Sequence, residues 1–183
     1  DSNQDTLGFV HLIPAKVKER IKDLAATQLP DGSAYHQYSP LTKKANPSDH
    51  KYGDDHLWLI FSAASYLKET GDLGFLKEKV TFAGKDSGTM YEHLARAIKF
   101  SLKNIGFHGL PKILFADWND CLNLDQGKGK AESVMVAQML VGAAFEMARI
   151  AELTGKSADV KKYTKIAEQM KKTINKKSWD GEW

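Results

Sequence analysis

The chain has 183 residues, 42% hydrophobic and 27% charged, with a formal net charge of +3. That balance describes a globular chain long enough to bury a sizeable core, as one domain or part of one. Its single cysteine, Cys121, excludes an internal disulfide framework and is too isolated for a zinc site, which favours a reducing, cytoplasmic setting.

The N-terminus, DSNQDTLGF, has neither the basic nor the apolar region of a signal peptide, and no stretch approaches the roughly 18 uncharged apolar residues of a membrane span. Pro14 opens a helical pattern in which Val17, Ile21, Leu24 and Ala25 recur at spacings of three and four, ending before the LPDGS turn at 29–33. Residues 34–53 carry two prolines, a KKANPSD tract and no period, and read as a long loop of the functional kind. From Asp54 the sequence DDHLWLIFSAASYLKETGD puts two acids at a helix start, followed by residues that are apolar on every face, so this helix should be buried on most sides. A short helix at 73–80 follows the stop at Gly71. Thr89 and Glu92 then form a capping box ahead of a helix lined by Tyr91, Leu94, Ile98, Leu102 and Ile105.

Strand signals are poor, apart from a short extended piece at 112–115. Residues 131–155 form the strongest helix of the chain, with only Gln138, Glu146 and Arg149 as long polar side chains over 134–151, so it belongs in the interior. Glu132 suits the electrostatics of its first turn. After the Gly155 stop, Ser157 caps a last helix with Val160, Tyr163, Ala167, Met170 and Ile174 on one face and lysines on the other, which lies outside. Its lysine pairs read as a solvated face and not as a nucleic-acid patch.

Nearly all-apolar helices thus alternate with amphipathic ones, and the corners LKETGDLGFLKE and AELTGKSADVKK resemble each other weakly. The fold class is all-α, built from helical hairpins in inner and outer layers, with no internal domain boundary over 1–183. Two helices that are apolar all round need neighbours on all sides, which about six helices cannot supply. The pattern, with no initial Met and an end at Trp183, predicts part of a larger helical barrel; a compact bundle with a dimer interface is the alternative.

Acidic, aromatic-rich loops suggest carbohydrate chemistry, since carboxylates and amides bind hydroxyls while Trp and Tyr faces pack on sugar rings. The segments DSNQDTLGFVH, GSAYHQYSPLTKKANP, DDHLWLI, FHGLP, ADWNDCLN, AESVMVA and WDGEW occur in this order from Asp1 to Trp183. Together they resemble the catalytic domain of the cellobiose and chitobiose phosphorylase family of inverting glycoside phosphorylases. The resemblance implies an (α/α)6 barrel of which this chain supplies about half. It also implies an arginine before Asp1, and phosphate-holding histidine and threonine-glycine elements beyond Trp183.

In that family the nucleophile is inorganic phosphate, so a single protein carboxyl is needed, as the acid that protonates the leaving oxygen. The resemblance assigns that role to Asp120, the second aspartate of DWND; the role requires a proton held near neutral pH, which Trp118 and a closed pocket would favour. It makes Trp118 an aromatic wall for the sugar and Asp5 an acceptor for its hydroxyls, with Asp1 in the same loop and Asp117 at the site as an orienter or turn former. Asp54 and Asp55 divide between helix capping and support of the site. The substrates implied are a β-linked disaccharide, cellobiose first and chitobiose or a related β-glucoside next, with inorganic phosphate as co-substrate. No cofactor, metal, nucleic acid or membrane is implied, and a homodimeric parent enzyme stays open.

Other readings stand beside these. Asp120 suits an ordinary Asx turn, Trp118 a core, Asp5 a cap, and His36, with Tyr38 beside it in YHQY, a satisfied structural histidine. GKGK at 127–130 lacks the spacing and preceding strand of a nucleotide loop. A hydrolase on the same barrel and a non-catalytic sugar-binding scaffold remain the alternatives in function.

Overall fold

A computed structural model describes residues 2–47, 50–84, 86–122 and 129–182. Among them six α-helices dominate: α1 Ser2–Phe9, α2 Pro14–Ala25, α3 Asp55–Thr70, α4 Met90–Lys103, α5 Val134–Leu153 and α6 Ser157–Lys177. Two antiparallel hairpins, β1 Gln37–Ser39 with β2 Lys44–Asn46 and β3 Lys79–Thr81 with β4 Ser87–Thr89, lie between helices.

The packing is layered. Helix α3 lies against both α1 and α5, while α2 sits on α1 and α3, α4 on α3 and α5, and α6 on α5. The odd helices therefore form an inner row and the even ones cover it. Leu57, Ile60, Ala63 and Ala64 of α3 and Leu140, Ala143, Ala144 and Met147 of α5 are all buried, as two nearly all-apolar sequences require. Helix α5 is long and apolar enough to cross a membrane by length and composition, yet here its buried residues join one core cluster that runs from Val10 to Met170. On α6 only the Tyr163, Ala167 and Met170 stripe is buried, and the lysine face is exposed.

Local signals held where their chemistry is unambiguous. Thr89 and Glu92 form the capping box of α4, and Gly71 ends α3 at φ 67°, a left-handed value that glycine adopts without a Cβ penalty. Several details differ from the sequence reading, among them the β1–β2 hairpin inside the stretch 34–53 read as a loop. Helix α1 was not expected, because DSNQDTLGF has no apolar period; it is held by Ser62 of α3, whose Oγ donates to the carbonyl of Asn3 at 2.8 Å. The short helix at 73–80 is a 3-10 turn, Leu73–Lys77, capped by Asp72, and Lys79–Thr81 pairs as β3. Lys156, not Ser157, stands at the N-cap of α6, and no side chain caps that end. Helix α4 ends at Lys103, so Ile105 lies beyond it, and Leu102 points outward. Glu132 precedes the N-cap Ser133 and instead accepts hydrogen bonds from the backbone of His108 and Leu110.

Candidate active site

Residues 111–116 are threaded between two other segments. Phe115 N donates to Lys51 O, Gly53 N to Ala116 O, Ile113 N to Ala131 O and Ser133 N to Pro111 O, each at 2.8–2.9 Å. The expected extended piece at 112–115 is thus a set of single bridges and not a ladder. Gly53 leaves little room for a side chain at this crossing. A Cβ there would stand 3.0 Å from Ile113 O, 3.1 Å from Lys112 O and 3.1 Å from Val136 Cγ2.

The loop that follows carries the DWND motif. Asp117 is buried, with 5% exposure; its Oδ1 accepts from Asn119 N at 3.1 Å and its Oδ2 from Ser133 Oγ at 2.6 Å. Those bonds turn the chain so that Trp118 and Asp120 face a cavity of about 680 Å³, into which Asp117 does not project. The cavity is walled by α1 through Gln4, by the β1 region through His36, and by the start of α3 through Asp54 and Asp55.

Trp118 is 54% exposed, so it is a wall and not core, and its Nε1 donates to Gln4 Oε1 at 3.0 Å. The Asp120 side chain is 63% exposed, so the closed pocket expected around it is not supplied by the residues described. Asp5 is exposed on α1 and does not line the cavity, whereas its neighbour Gln4 does. Asp1 and residues 127–128 of the GKGK stretch lie outside the described residues.

Asp54 and Asp55 divide their roles. Asp54 stands at the N-cap of α3 but makes no side-chain cap bond; its Oδ2 accepts from Trp58 Nε1 at 2.9 Å. Burial, at 3% exposure, pushes its carboxyl up to about 6, helped by the charge of Asp55 and opposed by the Trp58 hydrogen bond. Asp55 instead bonds His36, with Oδ2 at 3.1 Å from Nδ1. That hydrogen bond raises the affinity of His36 for a proton, against the opposing effect of its partial burial. His36 is therefore hydrogen-bonded, as a structural histidine should be, and also part of the cavity wall. Gln4 and Trp58 went unremarked in the sequence. Only the i, i+4 spacing of Asp54 and Trp58 at a helix start could have pointed to their pairing.

Such a site, with carboxyls, an imidazole and an indole face around a cavity in the size range of small-molecule sites, can bind hydroxyls and move a proton. The whole chain, residues 1–183, matches the family model described as the glycosyl hydrolase 94 superfamily, catalytic domain. Among curated proteins, the solabiose phosphorylase of Paenibacillus borealis is 33% identical over 184 residues, covering 100% of this chain and 23% of that protein. The N,N'-diacetylchitobiose phosphorylase of Vibrio proteolyticus is 33% identical over 205 residues, covering 100% of this chain and 25% of the relative. The cyclic beta-(1,2)-glucan synthase NdvB of Rhizobium meliloti (strain 1021) is 30% identical over 201 residues, covering 100% of the chain and 7% of that protein. The chain spans about a quarter of the length of the phosphorylases it matches.

Proposed function

Because the chain belongs to the glycosyl hydrolase 94 superfamily, as a stretch of its catalytic domain, we propose that the whole protein carries out inverting phosphorolysis of a β-linked disaccharide. The products are an α-sugar 1-phosphate and a free sugar. Further helices complete the two layers seen here into an (α/α)6 barrel. The observation that carries the reading is the joint presence of Trp118 and Asp120 on one cavity wall, oriented by the buried Asp117. Asp120 protonates the glycosidic oxygen as it departs, phosphate attacks the anomeric carbon from the opposite face, and the indole of Trp118 packs on a sugar ring. Asp5, exposed on α1 outside the cavity lining, accepts hydrogen bonds from sugar hydroxyls in the complete site, and Asp1 belongs to the same segment.

Cellobiose is the first substrate to try, on the strength of the DWNDCLNL and AESVMVA stretches. Diacetylchitobiose and other β-glucosides come next, since phosphorylases named for several disaccharides are comparably similar to the chain. The test is product analysis of the full-length protein with each disaccharide, with and without phosphate. Sugar 1-phosphate formed only when phosphate is supplied supports phosphorolysis. Cleavage at a rate indifferent to phosphate would make the protein a hydrolase.

A further inference from the structure

His36 sits between two carboxylates. Its Nδ1 lies 3.1 Å and 3.3 Å from the two oxygens of Asp55, and its Nε2 lies 3.9 Å from Asp120 Oδ1. The ring is stacked flat on Tyr52, with centroids 3.7 Å apart and planes at 9°. His36, Asp55 and Asp120 line the same cavity.

We infer that His36 is a positioning residue for the general acid: held by Asp55 and Tyr52, its ring keeps a transferable proton beside Asp120. The inference rests on the acid role of Asp120 in the reading above. Asp55 is an acceptor, so Nδ1 carries hydrogen in both charge states of the ring and the titrating nitrogen is Nε2. A closure of about 1 Å would bring Nε2 and Oδ1 to the length of a charge-assisted hydrogen bond. The titratable groups that face the ring are Asp54 and Asp55 from the start of α3, Asp120 from the DWND loop and the Tyr52 phenol beneath it. The three carboxylates favour the imidazolium, chiefly through the Asp55 hydrogen bond.

A general acid must carry a proton at the working pH, whereas an ordinary exposed aspartate loses its own near about pH 4. Shared between Asp120 and Nε2, one proton belongs to the pair, and the pair gives it up only where the imidazole would. In the forward reaction the Asp120 proton passes to the glycosidic oxygen as its bond to the anomeric carbon breaks. An oxygen of hydrogen phosphate forms the new bond, and Asp120 is left as carboxylate. That one proton is the pair's: as Asp120 delivers it, His36 is left neutral with Nδ1–H still on Asp55, and the pair takes one proton back from solvent. The sugar phosphate monoanion returns its own proton to solvent, which closes the balance.

The test compares wild type, His36→Gln and Asp55→Asn in the full-length protein, following kcat/KM against pH with the disaccharide and with the β-glycosyl fluoride, whose leaving group needs little protonation. With the disaccharide, the alkaline limb of His36→Gln should move to lower pH by about one unit or more, and the rate near pH 8 should fall about tenfold or further. With the fluoride, the same variant should stay within about threefold of wild type at every pH. Asp55→Asn, which still offers Nδ1–H a carbonyl, should shift the limb in the same direction by less. An unmoved alkaline limb, or equal losses with both substrates, would overturn the proposal and leave His36 a structural or sugar-binding group. If His36→Gln does not fold, Asp55→Asn decides by the same two readouts. Phosphate-independent cleavage by the wild type would defeat the phosphorolysis reading alone, since the limb shift can still be read in hydrolysis.

Discussion

Ser133 donates its hydroxyl to Asp117 at 2.6 Å and accepts from Val136 N at 3.0 Å with the same oxygen. One hydroxyl therefore both caps α5 and anchors the loop that presents Trp118 and Asp120, so the buried inner helix sets where Asp120 stands.

It follows that the two aspartates of DWND fail differently. Asp117→Asn weakens the bonds to Ser133 and Asn119 and should cost about 1–3 kcal/mol of stability, the usual range for a disturbed buried hydrogen bond. Asp120→Asn should leave the melting temperature nearly unchanged and lower kcat by about 10²–10⁴, the contribution of general acid catalysis. Thermal melts and steady-state kinetics on the full-length variants read both; equal losses of kcat at the two positions would leave the acid unassigned.

Asp54 gives a pH-dependent signature. Its carboxyl is raised from an ordinary 3.8 to about 6, so the stability it contributes is fully present below the ordinary value and is lost as pH rises through about 6. Asp54→Asn keeps a carbonyl for Trp58 Nε1 but cannot ionise. The variant should match wild type near pH 4 and exceed it at pH 7 by on the order of 3 kcal/mol. Melting temperatures across that window check it, and a difference that does not vary with pH would show that Asp54 is not the titrating group.

Much of this was legible because its signals are local. Proline at the start of α2, the Thr89–Glu92 box, the Gly71 stop and the apolar runs of α3 and α5 all act within one turn of the chain or by sheer composition. Helix α1 was not, since its hydrogen bond to Ser62 and its packing on α2 and α3 lie on other elements, and three-residue strands such as β1 and β3 are too short to show alternation. For the site, the motif resemblance pointed to Trp118, Asp117 and Asp120. The pairing of His36 with Asp55 is a meeting of positions 19 residues apart, which periodicity does not encode.

The crossing at Gly53 offers a test that touches no polar group of the site. A methyl at Gly53 would press on the carbonyls of Ile113 and Lys112, which must give by a few tenths of an ångström in the 111–116 segment that leads to Trp118. Gly53→Ala should lower stability by about 1–3 kcal/mol and kcat/KM by about tenfold or more, since small misplacements of reacting groups are costly. Wild-type values for both would mean that the segment is looser than its backbone hydrogen bonds imply.

Leaving-group dependence separates the chemical role of Asp120 from its mere importance. A general acid matters most when the departing oxygen is basic, so Asp120→Asn should regain much of its lost rate with a β-glycosyl fluoride in the presence of phosphate. Asp5→Ala makes the control. If Asp5 holds hydroxyls of the sugar that both substrates share, its loss should be the same with disaccharide and fluoride, because binding energy to that sugar is removed whatever leaves. The exposed place of Asp5 on α1, one residue from the cavity-lining Gln4, makes this arm informative in itself. Gln4→Ala releases the Trp118 indole and should then show the larger loss if Gln4, through Trp118, is the contact that matters. Should the fluoride fail to rescue Asp120→Asn in folded, phosphate-supplied enzyme, the general-acid role falls, and Asp120 becomes a binding aspartate whose nearness to His36 serves sugar recognition instead.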